Sequence, residues 1–268
     1  MIDVAKVSAV IEQIAAEDVL PRYQALAAHE IHEKVAGELV TVVDVAVEQR
    51  LSARLTDLLP GSLVVGEEAV HADAALMEQL AADAPVWIID PIDGTRNFAH
   101  GRPVFAIMVA LAQAGESLAA WILEPVSGRF GVAERGGGAW MGGQRLRVAA
   151  ADTPARMTGS LHASSYAPPE IARRVDQRRG RVQAVKSLRC AGAEYLRLAA
   201  GETHFSLFTR LMPWDHVPGT LLHSEAGGIA LCFDGTPYRA ARWRDRGLLM
   251  APDRPSWDAL HQTLLGEE

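Results

Sequence analysis

WIIDPIDGTRNF, residues 87–98, is the stretch from which the fold and chemistry of this chain are read. An apolar run of strand type, Val86 to Asp90, delivers Asp90 and Asp93 on either side of Pro91 and Ile92, and Gly94 and Thr95 follow at once. Hard oxygen donors thus arrive at the end of a buried strand. Beside them is a tight turn whose backbone N–H groups can face an anion. Gly94 allows close backbone approach, and a helix beginning near Thr95 would aim N–H groups at a phosphate. The stretch reads as a metal-plus-phosphate site.

Three further acidic positions end apolar runs or begin helices: Asp44 in LVTVVD, Glu67 and Glu68 in VVGEE, and Asp215 in MPWDHVPG. Desolvating an unpaired carboxylate is costly, so such acids need partners. Basic residues are sparse near all four in the sequence, which points to divalent cations. Mg²⁺ takes a few protein oxygens, with water and phosphate completing its octahedron. One carboxylate can bridge two ions, which permits a two-metal displacement at phosphorus. The register around Asp90 excludes a rival chemistry. Enzymes that form an aspartyl-phosphate place Asp-x-Asp-Gly-Thr after the strand, and here Pro91 stands two before Asp93. A metal-bound water is then the candidate nucleophile. The Thr95 hydroxyl could orient it if a carboxylate accepts the hydroxyl proton, with Asp44 as the acceptor and Glu67 near the same water.

Each position also has a plainer reading. Asp215, after Pro213 and with Pro218 in the first turn, suits a helix N-cap. Glu67-Glu68 could be a solvated strand end, Asp44 a surface helix acid, and DPIDGT a turn with Asx hydrogen bonds. His216 and His223 read as helix-surface or core histidines rather than ligands. GGGAWMGG (136–143) reads as a hairpin, since it lacks the Lys and Ser/Thr of a P-loop.

The 268 residues, 49% of them hydrophobic, suffice for one large domain or two coupled lobes. A formal net charge of −7 disfavours nucleic-acid polymers as partners. Cys190 and Cys232 lack metal-site or redox spacing and read as free thiols of a cytoplasmic protein. The first residues carry Asp3, Glu12, Glu17 and Asp18 without a basic region or continuous apolar run, so no signal peptide is expected. No apolar run reaches the roughly 18–20 residues of a membrane span. Helical periodicity covers 3–28 and Thr41 to Leu58, and Asp73 to Asp83 suits a helix. Strands are expected at 63–68, 86–90, 104–112, 118–123 and 129–134. The second half alternates strands at 157–162, 204–208, 229–233 and 248–251 with helices at 168–177, 190–200, 215–226 and 255–265. The expected organisation is an N-terminal α+β lobe, 1–150, carrying most metal ligands. A C-terminal α/β lobe, 151–268, would carry Asp215 and the substrate pocket.

Taken in order, LVTVVD, VVGEE, WIIDPIDGTRNF, RCAGAEYL (189–196) and PWDHVPGTLLHSEAGG (213–228) resemble the inositol monophosphatase family of Mg²⁺-dependent, lithium-sensitive sugar-phosphate phosphatases. The resemblance covers nearly the whole chain. It implies a five-layered αβαβα sandwich, also that of fructose-1,6-bisphosphatases, and a homodimer acting on a small phosphorylated metabolite. It implies two or three Mg²⁺ ions, with Mn²⁺ as a possible substitute. Glu67, Asp90 and the Ile92 carbonyl would hold the first ion, and Asp90, Asp93 and Asp215 the second. Glu68 would reach a third through water. Asp44 and Thr95 would help activate water, Gly94 and Thr95 N–H groups would bind phosphate, and Gly192 would lie in the substrate pocket near Glu194. One position departs from the pattern. Inositol-handling members carry a Glu seven residues before the WD aspartate, and this chain has Phe208. Inositol 1-phosphate is therefore not expected to be the preferred substrate. Arg210, Lys186 and Arg189 could serve a second anionic group or lie on the surface. Arg96 is compatible with the histidinol-phosphate phosphatases of the same superfamily, and a nucleotide 3′-phosphate phosphatase is a further alternative. A non-catalytic phosphate-binding or regulatory protein is the alternative of another class.

Overall fold

The computed structural model describes residues 2–35, 38–163, 167–244 and 247–266. Its first part runs through α1 (Val4–Ile14), β1 (Ile31–Val35), β2 (Glu38–Thr41), α2 (Val42–Leu58), β3 (Leu63–Gly66), α3 (Glu67–Ala72), β4 (Val86–Asp93) and α4 (Thr95–Ala99). An antiparallel run follows: β5 (Ala106–Gln113), β6 (Glu116–Glu124), β7 (Arg129–Glu134), β8 (Gly138–Met141) and β9 (Gln144–Arg145). The remainder is β10 (Thr158–His162), α5 (Pro169–Arg178), β11 (Gln183–Val185), α6 (Ala191–Ala199), β12 (Phe205–Phe208), α7 (Pro213–Glu225), β13 (Ile229–Cys232), β14 (Leu248–Ala251) and α8 (Arg254–Leu265).

Two sheets organise these elements. The larger has strands β3 to β9 in sequence order, and only its β3–β4 pair is parallel. The smaller has the order β11-β10-β12-β14-β13, with β10 parallel to both neighbours. Strand alternation sorts the side chains onto faces. Trp87, Ile89, Val109 and Trp121 pack on Ile11 and Ile14 of α1 and Val47 and Leu51 of α2. On the opposite face, Met108 and Ile122 meet Tyr195 and Leu196 of α6, Leu222 of α7, and Leu248 and Met250 of the small sheet. The outer face of that sheet, with Phe205, Leu207 and Leu249, is covered by Val175 of α5 and Trp257 and Leu260 of α8. Helices, sheet, helices, sheet, helices: these are the five layers of an αβαβα sandwich.

Several elements differ from the sequence reading. The first helix is regular only to Ile14; a wider π-type turn over Ala15–Val19 and a 3-10 turn at Leu20–Arg22 follow. The acids of VVGEE open α3 instead of ending the strand. The β1–β2 hairpin and β11 are additional strands. Their stretches, IHEKV and QAV, carry too little apolar alternation to stand out. Helix α7 begins at Pro213, whose fixed φ suits the first helical position, so Met212 is the N-cap and Asp215 lies inside the first turn. The capping role for Asp215 is thereby withdrawn, and Pro218 falls in the second turn.

Candidate active site

A β-bulge assembles the acidic cluster. In a regular strand Asp90 and Asp93 would point to opposite faces. Here Asp90 stands opposite Met108 and Asp93 opposite Ala106, so β4 carries one residue more than β5 between those pairs. The extra residue falls at Pro91-Ile92, where Pro91 has no N–H to give the ladder. Ile92 turns into the α1–α2 core, and Asp93 comes to the same side as Asp90. Gly94 follows at φ +84°, and a Cβ there would lie 3.2 Å from the carbonyls of Val104 and Arg189, so only glycine fits.

Asp90 is buried, and its Oδ1 has no hydrogen-bond partner among the described residues. Burial, then the charges of Glu67, Asp93, Asp215 and Asp44, push its carboxyl well above the usual range. Asp93 Oδ2 accepts from the Gly192 N–H at 2.6 Å and the Cys190 thiol at 3.0 Å, at the start of α6. Burial still raises it. Asp215 projects from the first turn of α7 and lies within hydrogen-bonding reach of Asp90. Its acidity is lowered likewise, by burial and then by Asp93 and Glu67. Four acids facing one another, one with an orphaned oxygen, are a hard-oxygen donor set that a divalent cation would satisfy. No three His, Cys, Asp or Glu side chains among the described residues converge closely enough to hold an ion as they stand; Lys34 holds Glu67 and Glu68, and the Cys190 thiol and Gly192 N–H hold Asp93.

The chief partner escaped the sequence reading. Lys34 on β1 places Nζ 2.9 Å from Glu67 Oε1 and 2.5 Å from Glu68 Oε1. The expectation that the acids lack nearby basic residues is corrected here: the lysine lies more than thirty residues away in sequence and arrives through the hairpin. Burial alone would lower its pKa, but Glu67 and Glu68 raise it above the ordinary lysine value. Glu48 of α2 is a second missed residue. It accepts the Glu68 and Ala69 N–H groups, each at 2.8 Å, and caps α3 from outside. A Cβ at Gly66 would come within 2.3 Å of the Glu48 Cδ, which is why β3 ends in glycine. Burial pushes Glu48 up to about 7.

Asp44 is fully buried at the start of α2 rather than on its surface. Its Oδ2 accepts from Thr41 N at 2.8 Å and Thr41 Oγ1 at 2.6 Å, closing a reciprocal helix cap. Its Oδ1 faces Thr95 Oγ1 at 3.1 Å, and the same hydroxyl lies 2.9 Å from the Ile92 carbonyl. Burial pushes Asp44 up to about 7.

A cleft of about 570 Å³ runs over this cluster, lined by Lys34, Glu67, Gly94, Thr95, Arg189 and Asp215. An adjoining pocket of about 260 Å³ is lined by Asp93, His162, Phe208, Thr209, Arg210 and His216 among others. Gly192 lies behind Asp93 instead of in that wall, and a Cβ there would meet Ala106, Ile122 and Met108 at about 3 Å. Glu194 is also behind the wall: buried, it accepts from His162 Nε2 at 2.5 Å, Leu188 N at 2.9 Å and the Ser160 hydroxyl. Phe208 stacks on His162 at 4.4 Å between ring centres. His216 and His223 are core residues. Burial lowers their pKa values to about 3 and about 4, and each Nε2 meets a backbone carbonyl. GGGAWMGG forms the β8–β9 hairpin.

Comparison with known proteins supplies the family and agrees with the fold. The sequence model of the inositol monophosphatase family matches residues 2–266. The Nus factor SuhB of Pseudomonas aeruginosa is 33% identical over 244 residues, 87% of this chain and 85% of that protein. An inositol-1-monophosphatase of Caulobacter vibrioides is 32% identical over 214 residues, covering 78% and 81%. Among solved structures, the extragenic suppressor protein SuhB of Bartonella henselae superposes with a TM-score of 0.82 at 23% identity, over 98% of this chain and 99% of that one. A staphylococcal IMPase-II bound to 2′AMP gives 0.77 at 22% identity, over 96% and 90%. The chain belongs to the inositol monophosphatase family, a family of metal-dependent phosphatases.

Proposed function

We propose that this phosphomonoesterase uses Mg²⁺ to hydrolyse a small phosphorylated metabolite at the Asp90 cluster, and that inositol 1-phosphate is not its preferred substrate. The observation that carries the reading is the buried, partnerless Asp90 Oδ1 among Glu67, Asp93 and Asp215. Glu67, Asp90, the Ile92 carbonyl, Asp93 and Asp215 would hold two ions, and Glu68 a third, with Lys34 leaving Glu67 as they bind. Bound divalent ions would supply Lewis acidity to the phosphoryl group and to the attacking water.

The chain's own residues do the positioning. Gly94 and Thr95, at the cleft floor, would face the phosphate with their backbone N–H groups. Thr95, by donating its hydroxyl hydrogen to Asp44, turns an oxygen lone pair towards the water that attacks phosphorus. Asp44 can take a proton near neutrality because burial has raised its pKa to about 7. Glu67, which lines the same cleft, would face that water as well.

Mn²⁺ substitution, lithium inhibition, a homodimer and a cytoplasmic location belong to the same proposal and rest on the family. Cys190 and Cys232, both buried and neither in a disulfide, fit the location. No described helix is long and apolar enough to cross a membrane. Phe208 supports the substrate reading, since an apolar ring cannot accept sugar hydroxyls. A histidinol-phosphate or nucleotide phosphatase remains the alternative within the superfamily, and the 2′AMP-bound relative favours testing nucleotides. The likeness to a protein named as a Nus factor favours one reading of another class, a regulatory protein. Mg²⁺-dependent phosphate release from a metabolite panel decides between them. Turnover supports the enzyme; ligand binding by calorimetry with no release supports the regulator.

A further inference from the structure

Most of the buried polar groups that wall the adjoining pocket make their hydrogen bonds inside the protein, while Arg189, which also lines it, is exposed. His216 gives one ring nitrogen to the Arg210 carbonyl and the other to the Tyr195 hydroxyl. Thr209 donates to the His162 carbonyl, the Cys190 thiol to Asp93, and Arg210 to Glu38. His162 is different. Its Nε2 is held by Glu194, while Nδ1 has no hydrogen-bond partner among the described residues, and the side chain is 23% exposed.

This arrangement is built. His162, at the end of β10, stands directly opposite Phe208 of β12 in the parallel register. The rings of His162, Phe208 and Tyr195 form one stack, with interplanar angles of 11° and 18°. Tyr195 is its buried end and His162 its pocket end. Burial disfavours a charged Glu194, but hydrogen bonds from His162, Ser160 and Leu188 outweigh it and hold the carboxyl below the ordinary range. An ionised carboxylate only accepts, so the Nε2 proton stays on His162 and Nδ1 is the atom left for a ligand.

We propose that His162 is a specificity-determining residue of the phosphatase reaction. Its Nδ1 meets a hydroxyl of the leaving alcohol, and Glu194 is the positioning residue that fixes the ring. The inference rests on the phosphatase reading above and names the residue that reads a hydroxyl of the leaving alcohol in a pocket where Phe208 cannot. The polar atom that reads this group thus sits one strand away from Phe208.

The test compares His162→Phe, which keeps a ring in the stack and removes the nitrogen, with the wild type. The probes are three hydroxyl-bearing esters (inositol monophosphate, glycerol 2-phosphate and 2′-AMP) and p-nitrophenyl phosphate, whose leaving group has none. Both kcat/KM and calorimetric Kd are read with Mg²⁺ present. The expected result is a loss of about 10- to 100-fold for the hydroxyl-bearing ester that the wild type handles best, mostly in KM and Kd. For p-nitrophenyl phosphate the change stays below about twofold. Glu194→Gln, which keeps the shape and fold of the wall, gives a smaller loss with the same selectivity. An equal loss on both classes, or none on either, overturns the proposal. Absence of turnover in the wild type would instead sink the phosphatase reading, and the Kd comparison would still decide the role of His162.

Discussion

Thr95 Oγ1 and Asp44 Oδ1, 51 positions apart in sequence, lie 3.1 Å apart, and through Thr41 the same carboxylate caps helix α2. One buried acid therefore ties the helix start to the hydroxyl at the cleft floor. Asp44→Asn keeps the shape but offers one acceptor oxygen instead of two. We expect kcat to fall roughly 100- to 1,000-fold with KM little changed, which is the scale of a lost acid–base group. Steady-state kinetics checks this; a proportional rise in KM would place Asp44 in binding instead.

Asp90→Asn separates the metal role from the structural one. The carboxylate has a buried oxygen without a partner and faces other acids. An amide can donate to Asp215, so the metal-free variant should melt at or above the wild-type temperature. Activity should be abolished, and Mg²⁺ should no longer raise the melting temperature as it does for the wild type. Calorimetric melting with and without EDTA is the check, and a variant that unfolds in its metal-free form contradicts the assignment.

Metal binding should release protons. Asp90, Asp93 and Asp215 are all shifted upwards by burial and mutual repulsion, and Asp44 to about 7. Their folded values exceed the unfolded ones, so the metal-free fold holds extra protons and loses stability as pH rises towards and through 7. His216 and His223, with depressed values of about 3 and about 4, act in the opposite sense, and their effect fades as pH rises past about 6.5. Above about pH 7.5, where an unfolded histidine is almost wholly neutral, the raised carboxylates dominate the slope. Titrating Mg²⁺ at pH 7 in two buffers of different ionisation enthalpy should show net proton release. Identical heats in the two buffers would refute it.

Phe208→Glu should cost stability and shift selectivity together. Phe208 lies between His162 and Tyr195, with His216 at its edge. Losing a buried ring costs about 3–5 kcal/mol, or about 5–9 °C in a chain of this size. The ratio of inositol monophosphate to p-nitrophenyl phosphate turnover should nevertheless rise. An unchanged ratio would show that Phe208 does not set the preference.

The legible parts of the fold were those fixed by local pattern. The apolar run into Asp90, the helix after Thr41 and the alternating second half gave the elements and most of their faces. The bulge that turns Asp90 and Asp93 to one side was hidden, because register depends on β5 and not on β4 alone. Lys34 was hidden because its strand, IHEKV, is polar and its partners lie across the hairpin. Asp215 carried a plainer reading as a helix cap beside its reading as a metal ligand, because Pro213, two residues earlier, belongs to the same helix-start signal. Glu194 was assigned to the pocket from resemblance alone. Only the tertiary structure reveals Ser160 and His162, more than thirty residues upstream, occupying its oxygens.

The central claim is that the Asp90 cluster hydrolyses phosphomonoesters with divalent cations. Inorganic phosphate released from a metabolite panel, measured with Mg²⁺ and again with EDTA, tests it most directly. We expect release that requires Mg²⁺ and disappears in Asp90→Asn. Release that persists in EDTA or in that variant, or no release from any ester by the wild type, would contradict the account.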